Sequence, residues 1–249
     1  MNGMKVGRWD VLHERNQIGG GSYDLEGNQK KIGDWVELDD GFFCGKYNPI
    51  KVTYNGQYNI NGMKVGRWEI LYRKQDEKDY IQMQIYQRKV YSGGSYDNDG
   101  NQKKIGKWIE LVEGFNDEKQ IIYNGQYNIN GVKIERWDIL FCQYNWQGYI
   151  QIGGGSYDNN GDQKKIGKWV ELGEGFYLNN LVTYNGEYNM NGMKVGRWEI
   201  MYRKYGEKEY RQMQILYKQK QYQQCLFVCV LIVEKRSILM EKQKQPDIH

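Results

Sequence analysis

The sequence predicts an all-β protein, an elongated, single-layer antiparallel meander of tandem β-hairpin repeats. Three observations predict it. One phrase recurs along the chain, as YNGQYNINGMKVGRWEILYRK at 54–74 and YNGEYNMNGMKVGRWEIMYRK at 184–204, with shorter versions at 2–12 and 123–141. Inside the phrase apolar and polar residues alternate. Val182, Tyr184, Gly186 and Tyr188 interleave with Thr183, Asn185 and Glu187, and Trp198, Ile200 and Tyr202 interleave with Glu199, Met201 and Arg203. That period of two belongs to a strand. The composition points the same way: 22 Tyr, 8 Trp and 31 Gly stand beside no alanine at all, and strands favour aromatic residues where helices favour Ala.

Each element follows from a local signal. Asn191-Gly192 between the two alternating runs is a hairpin turn. A second phrase interleaves with the first: GGGSYDLEGNQKKIGDWVEL at 19–38, GGSYDNDGNQKKIGKWIEL at 93–111 and GGGSYDNNGDQKKIGKWVEL at 153–172. It is the same hairpin with a longer turn. Trp9, Trp35, Trp68, Trp108, Trp137, Trp169 and Trp198 mark the units, and Trp146 falls outside them. The double unit spans 61 residues, both from Trp108 to Trp169 and from Trp137 to Trp198. The array therefore holds about seven half-units of about 30 residues. Trp35, Trp68, Trp108, Trp137, Trp169 and Trp198 form its expected core, with Tyr58, Tyr127 and Tyr188. Glycines between the aromatics let a neighbouring ring lie across the backbone. Val170 and Leu172 fall out of phase with Trp169, so either a bulge or a sheet with two apolar sides is expected. Glu135 stands where the parallel copies carry Gly66 and Gly196. The array is expected over 1–213. Residues 214–249 leave the pattern, as a capping element or as the product of a truncated or shifted reading frame.

The spacing Tyr-x-Gly-x-Tyr-x-x-x-Gly-x-x-x-Gly-x-Trp resembles the MORN repeat, and within that family the variant form ending Gly-x-Trp. The resemblance covers roughly residues 2–213. It implies a twisted antiparallel meander and a role as an assembly scaffold or a module near membranes.

Little in the chain points to catalysis. Its only histidines are His13 and His249, and every distinctive feature occurs several times, whereas a reaction site is one asymmetric constellation. The Gly-Gly-Gly-Ser segments lack the Gly-Lys-Ser/Thr of a phosphate loop. In DNDGNQ at 97–102, Asp97, Asp99 and Asn101 alternate as calcium ligands would. However, Gly100 is fourth rather than sixth, and Trp108 stands where the bidentate Glu belongs, so Asx turns are expected instead. Cys225 and Cys229 are too few for a zinc site. The four cysteines follow no repeat, as in a reducing compartment. The most apolar stretch, 225–233, is about half the length of a spanning helix. A cytoplasmic protein without cofactor or metal is expected, peripheral at most to a membrane or cytoskeletal structure.

The formal net charge of +4 argues against nucleic acid as a partner. Charge is nonetheless segregated. In a meander alternate turns fall on opposite edges, and one edge gathers Lys64, Arg67, Lys103, Lys104, Lys107, Lys164, Lys165, Lys168, Lys194 and Arg197. The expected function is a non-catalytic scaffold for protein–protein interaction or self-association. The alternative is a peripheral adaptor that binds anionic phospholipid through this basic edge.

Overall fold

The computed structural model describes residues 3–13, 15–42, 51–73, 80–82, 84–85, 90–116, 118–142, 148–174, 176, 181–204, 207 and 209–213. The segment 214–249, Cys44 and Trp146 lie outside the described residues. What is described is all-β. The long strands are β1 (Gly7–His13), β2 (Asn16–Tyr23), β3 (Lys31–Leu38), β4 (Lys51–Tyr58) and β5 (Lys64–Arg73). Three short ones follow, β6 (Ile81–Gln82), β7 (Gln84–Ile85) and β8 (Val90–Tyr91), then β9 (Gly93–Tyr96) and β10 (Lys104–Leu111). The series ends with β11 (Ile121–Tyr127), β12 (Lys133–Phe141), β13 (Ile150–Tyr157), β14 (Lys165–Leu172), β15 (Leu181–Tyr188), β16 (Lys194–Arg203) and β17 (Arg211–Gln212).

The strands form one open sheet whose order is chain order, β1 to β5 and then β9 to β17. The β6 strand pairs beside β5, while β7 and β8 make a separate two-stranded ribbon. All pairs are antiparallel, as short hairpin loops require.

Gly-x-Trp proves to be a bulge. In β4–β5, Asn55 pairs with Glu69 and Gln57 with Val65, so two steps on one strand oppose four on the other. The longer hairpins do the same: Gly20 pairs with Val36 and Ser22 with Ile32. The bulge opens on a left-handed residue, Gly33 at φ 65° or Gly66 at φ 59°, a conformation glycine adopts without a Cβ clash. It throws the indole onto the glycine of the facing strand. A Cβ on Gly125 would sit 2.2 Å from the Trp137 ring, and one on Gly155 would sit 2.3 Å from Trp169. The expected approach of ring to backbone is therefore built into every hairpin.

The sheet has two apolar sides, which resolves the phase of the longer phrase. Trp35, Tyr58 and Trp68 cluster with Tyr23, Tyr54 and Tyr96, and Trp108, Tyr127 and Trp137 with Tyr96, Tyr123 and Tyr157. Toward the other strand ends, aliphatic clusters join residues of both phases. Val52 and Ile70, in phase with Trp68, meet Ile109, Ile122 and Leu140, which are out of phase with their tryptophans. Ile121, Ile139 and Phe141 likewise meet Leu181 and Leu172. Phe115 and Phe176, from the Glu-Gly-Phe loops on that edge, plug these clusters at 3% exposure each.

Candidate functional surface

The turns set the geometry of one edge. In the short turns Asn59 Oδ1 accepts from the backbone N–H groups of Asn61 and Met63 at 2.9 and 3.0 Å, and Asn128 and Asn189 repeat this. In the long turns the buried carboxylates of Asp24, Asp97 and Asp158 accept from the N–H of Lys30, Lys103 and Lys164. Asx turns with the i+2 bond thus form in the short turns, while in the long turns the leading aspartate of each alternating set spans the loop to the backbone six residues on, where the sequence predicts an Asx turn. Among the described residues no group of three or more His, Cys, Asp and Glu could hold a metal ion.

Behind the turns runs a continuous ladder of rings, one per long strand: Trp9, Tyr23, Trp35, Tyr58, Trp68, Tyr96, Trp108, Tyr127, Trp137, Tyr157, Trp169, Tyr188 and Trp198. Consecutive centroids lie 5.1 to 6.4 Å apart with planes near perpendicular. Such edge-to-face contact suits the ring quadrupoles. Trp35, Trp68, Trp108, Trp137 and Trp169 are buried, as are Tyr58 and Tyr127. Tyr188 and Trp198, near the last long strand, are half-buried, and Trp9 at the first is 45% exposed. Indole N–H groups donate to strand carbonyls: Trp35 to Ser22, Trp137 to Gln126 and Trp169 to Ser156.

Lysines cover the rings. Lys64, Lys133 and Lys194 stand 4.0, 3.9 and 4.0 Å from the centroids of Trp68, Trp137 and Trp198. Lys31, Lys104 and Lys165 lie over Trp35, Trp108 and Trp169. Three glutamates tie them together. Glu37 accepts from Lys31, from Lys64 at 2.7 Å and from the Tyr58 hydroxyl at 2.5 Å. Glu110 accepts from Lys104, Lys133 and Tyr127, and Glu171 from Lys165, Lys194 and Tyr188. Each glutamate thus bonds groups from three successive strands. Burial pushes the Glu171 carboxyl up, but the bonds from Lys165, Lys194 and Tyr188 outweigh it and hold the group down at about 2. Glu37 and Glu110 are lowered for the same reasons. The tyrosine partners shift the other way, raised by burial and by the adjacent carboxylate.

The ten residues of the expected basic edge fall in three places. Lys64, Lys104, Lys165 and Lys194 are these ring-covering, carboxylate-bound lysines. Lys103 and Lys164 sit in the long turns against Gly131 and Gly192, and Lys164 pairs with Asp162 at 2.7 Å. Arg67, Lys107, Lys168 and Arg197 are exposed and alternate out of phase with their tryptophans, on the opposite side of the sheet. The basic residues thus share an end of the strands but not a face.

Two features escape a reading confined to charge. Glu37, Glu110 and Glu171 carry the repeated signal Trp-x-Glu, which puts the acid in phase with the ring. The other is apolar: Leu25, Ile60, Ile129 and Met190 are 82, 83, 82 and 72% exposed. All four occupy the same turn position, one residue after the bracketing Asp or Asn, and so line one edge. Among the described residues no helix is long and apolar enough to cross a membrane. Comparison with protein-family models, curated proteins and solved structures yields no match.

Proposed function

We propose that the chain is a non-catalytic repeat scaffold of the MORN-like kind, whose sheet receives protein partners, a second copy of itself among them, by strand addition. The observation that carries this reading is β1. Among the described residues no strand pairs with its outer side, and Trp9, Val11 and Leu12 are 45, 38 and 61% exposed there. An open strand that leaves apolar side chains in water is a template for another strand. Every chemically distinctive group also repeats from unit to unit, as architecture does. Sedimentation of the full chain across concentrations tests the reading. We expect reversible dimers that are lost in Val11→Glu/Leu12→Lys, whose circular dichroism is unchanged. A wild-type chain that stays monomeric throughout removes the self-association.

A second reading, attachment to an anionic membrane, draws support from Leu25, Ile60, Ile129 and Met190. Neighbouring strands lie about 4.8 Å apart, so successive turns on this edge recur at roughly 10 Å. The apolar tips stand on the first, second, fourth and sixth of these turns, about 10 to 20 Å apart, and with Lys30, Lys103 and Lys164 on the same edge they suit shallow insertion among acidic headgroups. Flotation with neutral and anionic vesicles tests it. Binding should need anionic lipid, weaken with salt, and disappear when the four tips become Ser. Flotation that survives the Ser substitutions, or none with any lipid, sinks this reading.

A further inference from the structure

The composition of the ladder exceeds what packing requires. The chain has six Phe, yet none stands among the thirteen ladder rings, which alternate strictly between Trp and Tyr. Among aromatic side chains these are the two that give up a single electron readily, whereas phenylalanine does not. We propose that the ladder carries oxidising equivalents: a one-electron oxidant takes an electron from a partly exposed indole, and the vacancy moves ring to ring until it rests on Tyr58, Tyr127 or Tyr188.

The geometry supplies each requirement. Electron exchange between aromatic groups falls off steeply with separation, and no step in the ladder exceeds 6.4 Å between centroids. Entry is open at Trp198, half-buried and 5.3 Å from Tyr188, so the first ring the vacancy meets is one with a base in contact. The lysines near 4 Å over Trp68, Trp137 and Trp198 disfavour a positive charge resting on those indoles, since they already sit on the electron-rich ring face. Tyrosine loses its electron and its phenolic proton together, so it needs a base in contact. Tyr58, Tyr127 and Tyr188 have one, with hydroxyls 2.5, 2.7 and 2.7 Å from Glu37, Glu110 and Glu171. In the resting step an electron passes from the tyrosine to the adjacent tryptophan radical cation, and the phenolic proton passes to the glutamate. The products are a neutral indole, a tyrosyl radical and a glutamic acid. A one-electron reductant of the ascorbate class completes the cycle by returning an electron to the phenoxyl, which recovers its proton from the glutamic acid.

The test is flash oxidation of the full chain near neutral pH with photogenerated tris(bipyridine)ruthenium(III), followed by transient absorption and electron paramagnetic resonance. In the native chain an initial tryptophan radical should give way to a tyrosyl radical, and the conversion should slow in D2O because a proton moves. In Tyr58→Phe/Tyr127→Phe/Tyr188→Phe the tyrosyl signal should be lost and the tryptophan radical should persist. Tyrosyl formation undiminished in that variant overturns the proposal. Should the variant fail to fold, the native chain decides alone, and a tryptophan radical that decays without tyrosyl formation, or a conversion indifferent to D2O, overturns it equally.

Discussion

Glu135 sits at φ 55°, the left-handed bulge position that Gly66 and Gly196 fill in the parallel hairpins. A side chain there costs about 1 kcal/mol or more. Glu135→Gly should therefore raise stability by about 1 kcal/mol, read as a higher denaturation midpoint, offset in part by the added freedom of glycine in the unfolded chain. The opposite experiment belongs to Gly125, where a Cβ would meet the Trp137 ring at 2.2 Å. Gly125→Ala should cost roughly 3 kcal/mol, because ring and strand cannot both keep their places. The tryptophans themselves are unequal. Trp137 is 2% exposed and Trp9 45%, so Trp137→Ala should cost roughly 3–5 kcal/mol, as a large cavity does, and Trp9→Ala far less. Equal losses at the two sites would show that the ladder draws its stability from something other than burial.

Within the hairpin, the glutamate with its two lysines and tyrosine makes stability depend on pH. The Glu171 carboxyl is held at about 2 against an ordinary 4.5, and Glu37 and Glu110 are lowered as well. A group depressed by folding stabilises fully above its unfolded value. That contribution is lost as pH falls toward its folded value. Denaturant midpoints should hold steady above pH 4.5 and decline between there and about pH 2. Glu110→Gln should flatten that decline while lowering the neutral-pH midpoint, since Lys104 and Lys133 then lose their shared partner. A decline of the same slope in the variant would assign the acid sensitivity elsewhere. The hairpins were legible in the sequence because period two and the Asn-Gly turn are local signals. The two-sided core was legible only as one of two alternatives, since Val170 and Leu172 show their phase but not what covers it. The basic edge was legible as a set of residues near one end of the strands. Its division between faces was not, because the Gly-x-Trp bulge decides which side chains stay in phase with the ring.

For the molecule as a whole, strand order equal to chain order means that each strand of the sheet hydrogen-bonds only to its immediate neighbours. Contacts are short in sequence, and no distant pairing waits on the rest of the chain to fold. Sequence repetition conveyed this pairing order, since similar units stacked in series pair each strand with the next. The aliphatic clusters that bridge successive double repeats, Val52 and Ile70 with Ile122 and Leu140, are the longest-range ties. Hydrogen exchange should accordingly be slowest around β11 and β12 and fastest at β1 and β16, rather than uniform. Because β1 and β16 lie toward opposite margins of the sheet, a tensile load between residues 7 and 203 would cross the strands instead of shearing along them. Backbone hydrogen bonds would then open a few at a time, and the chain would pay out length hairpin by hairpin at low force, as a molecular slack.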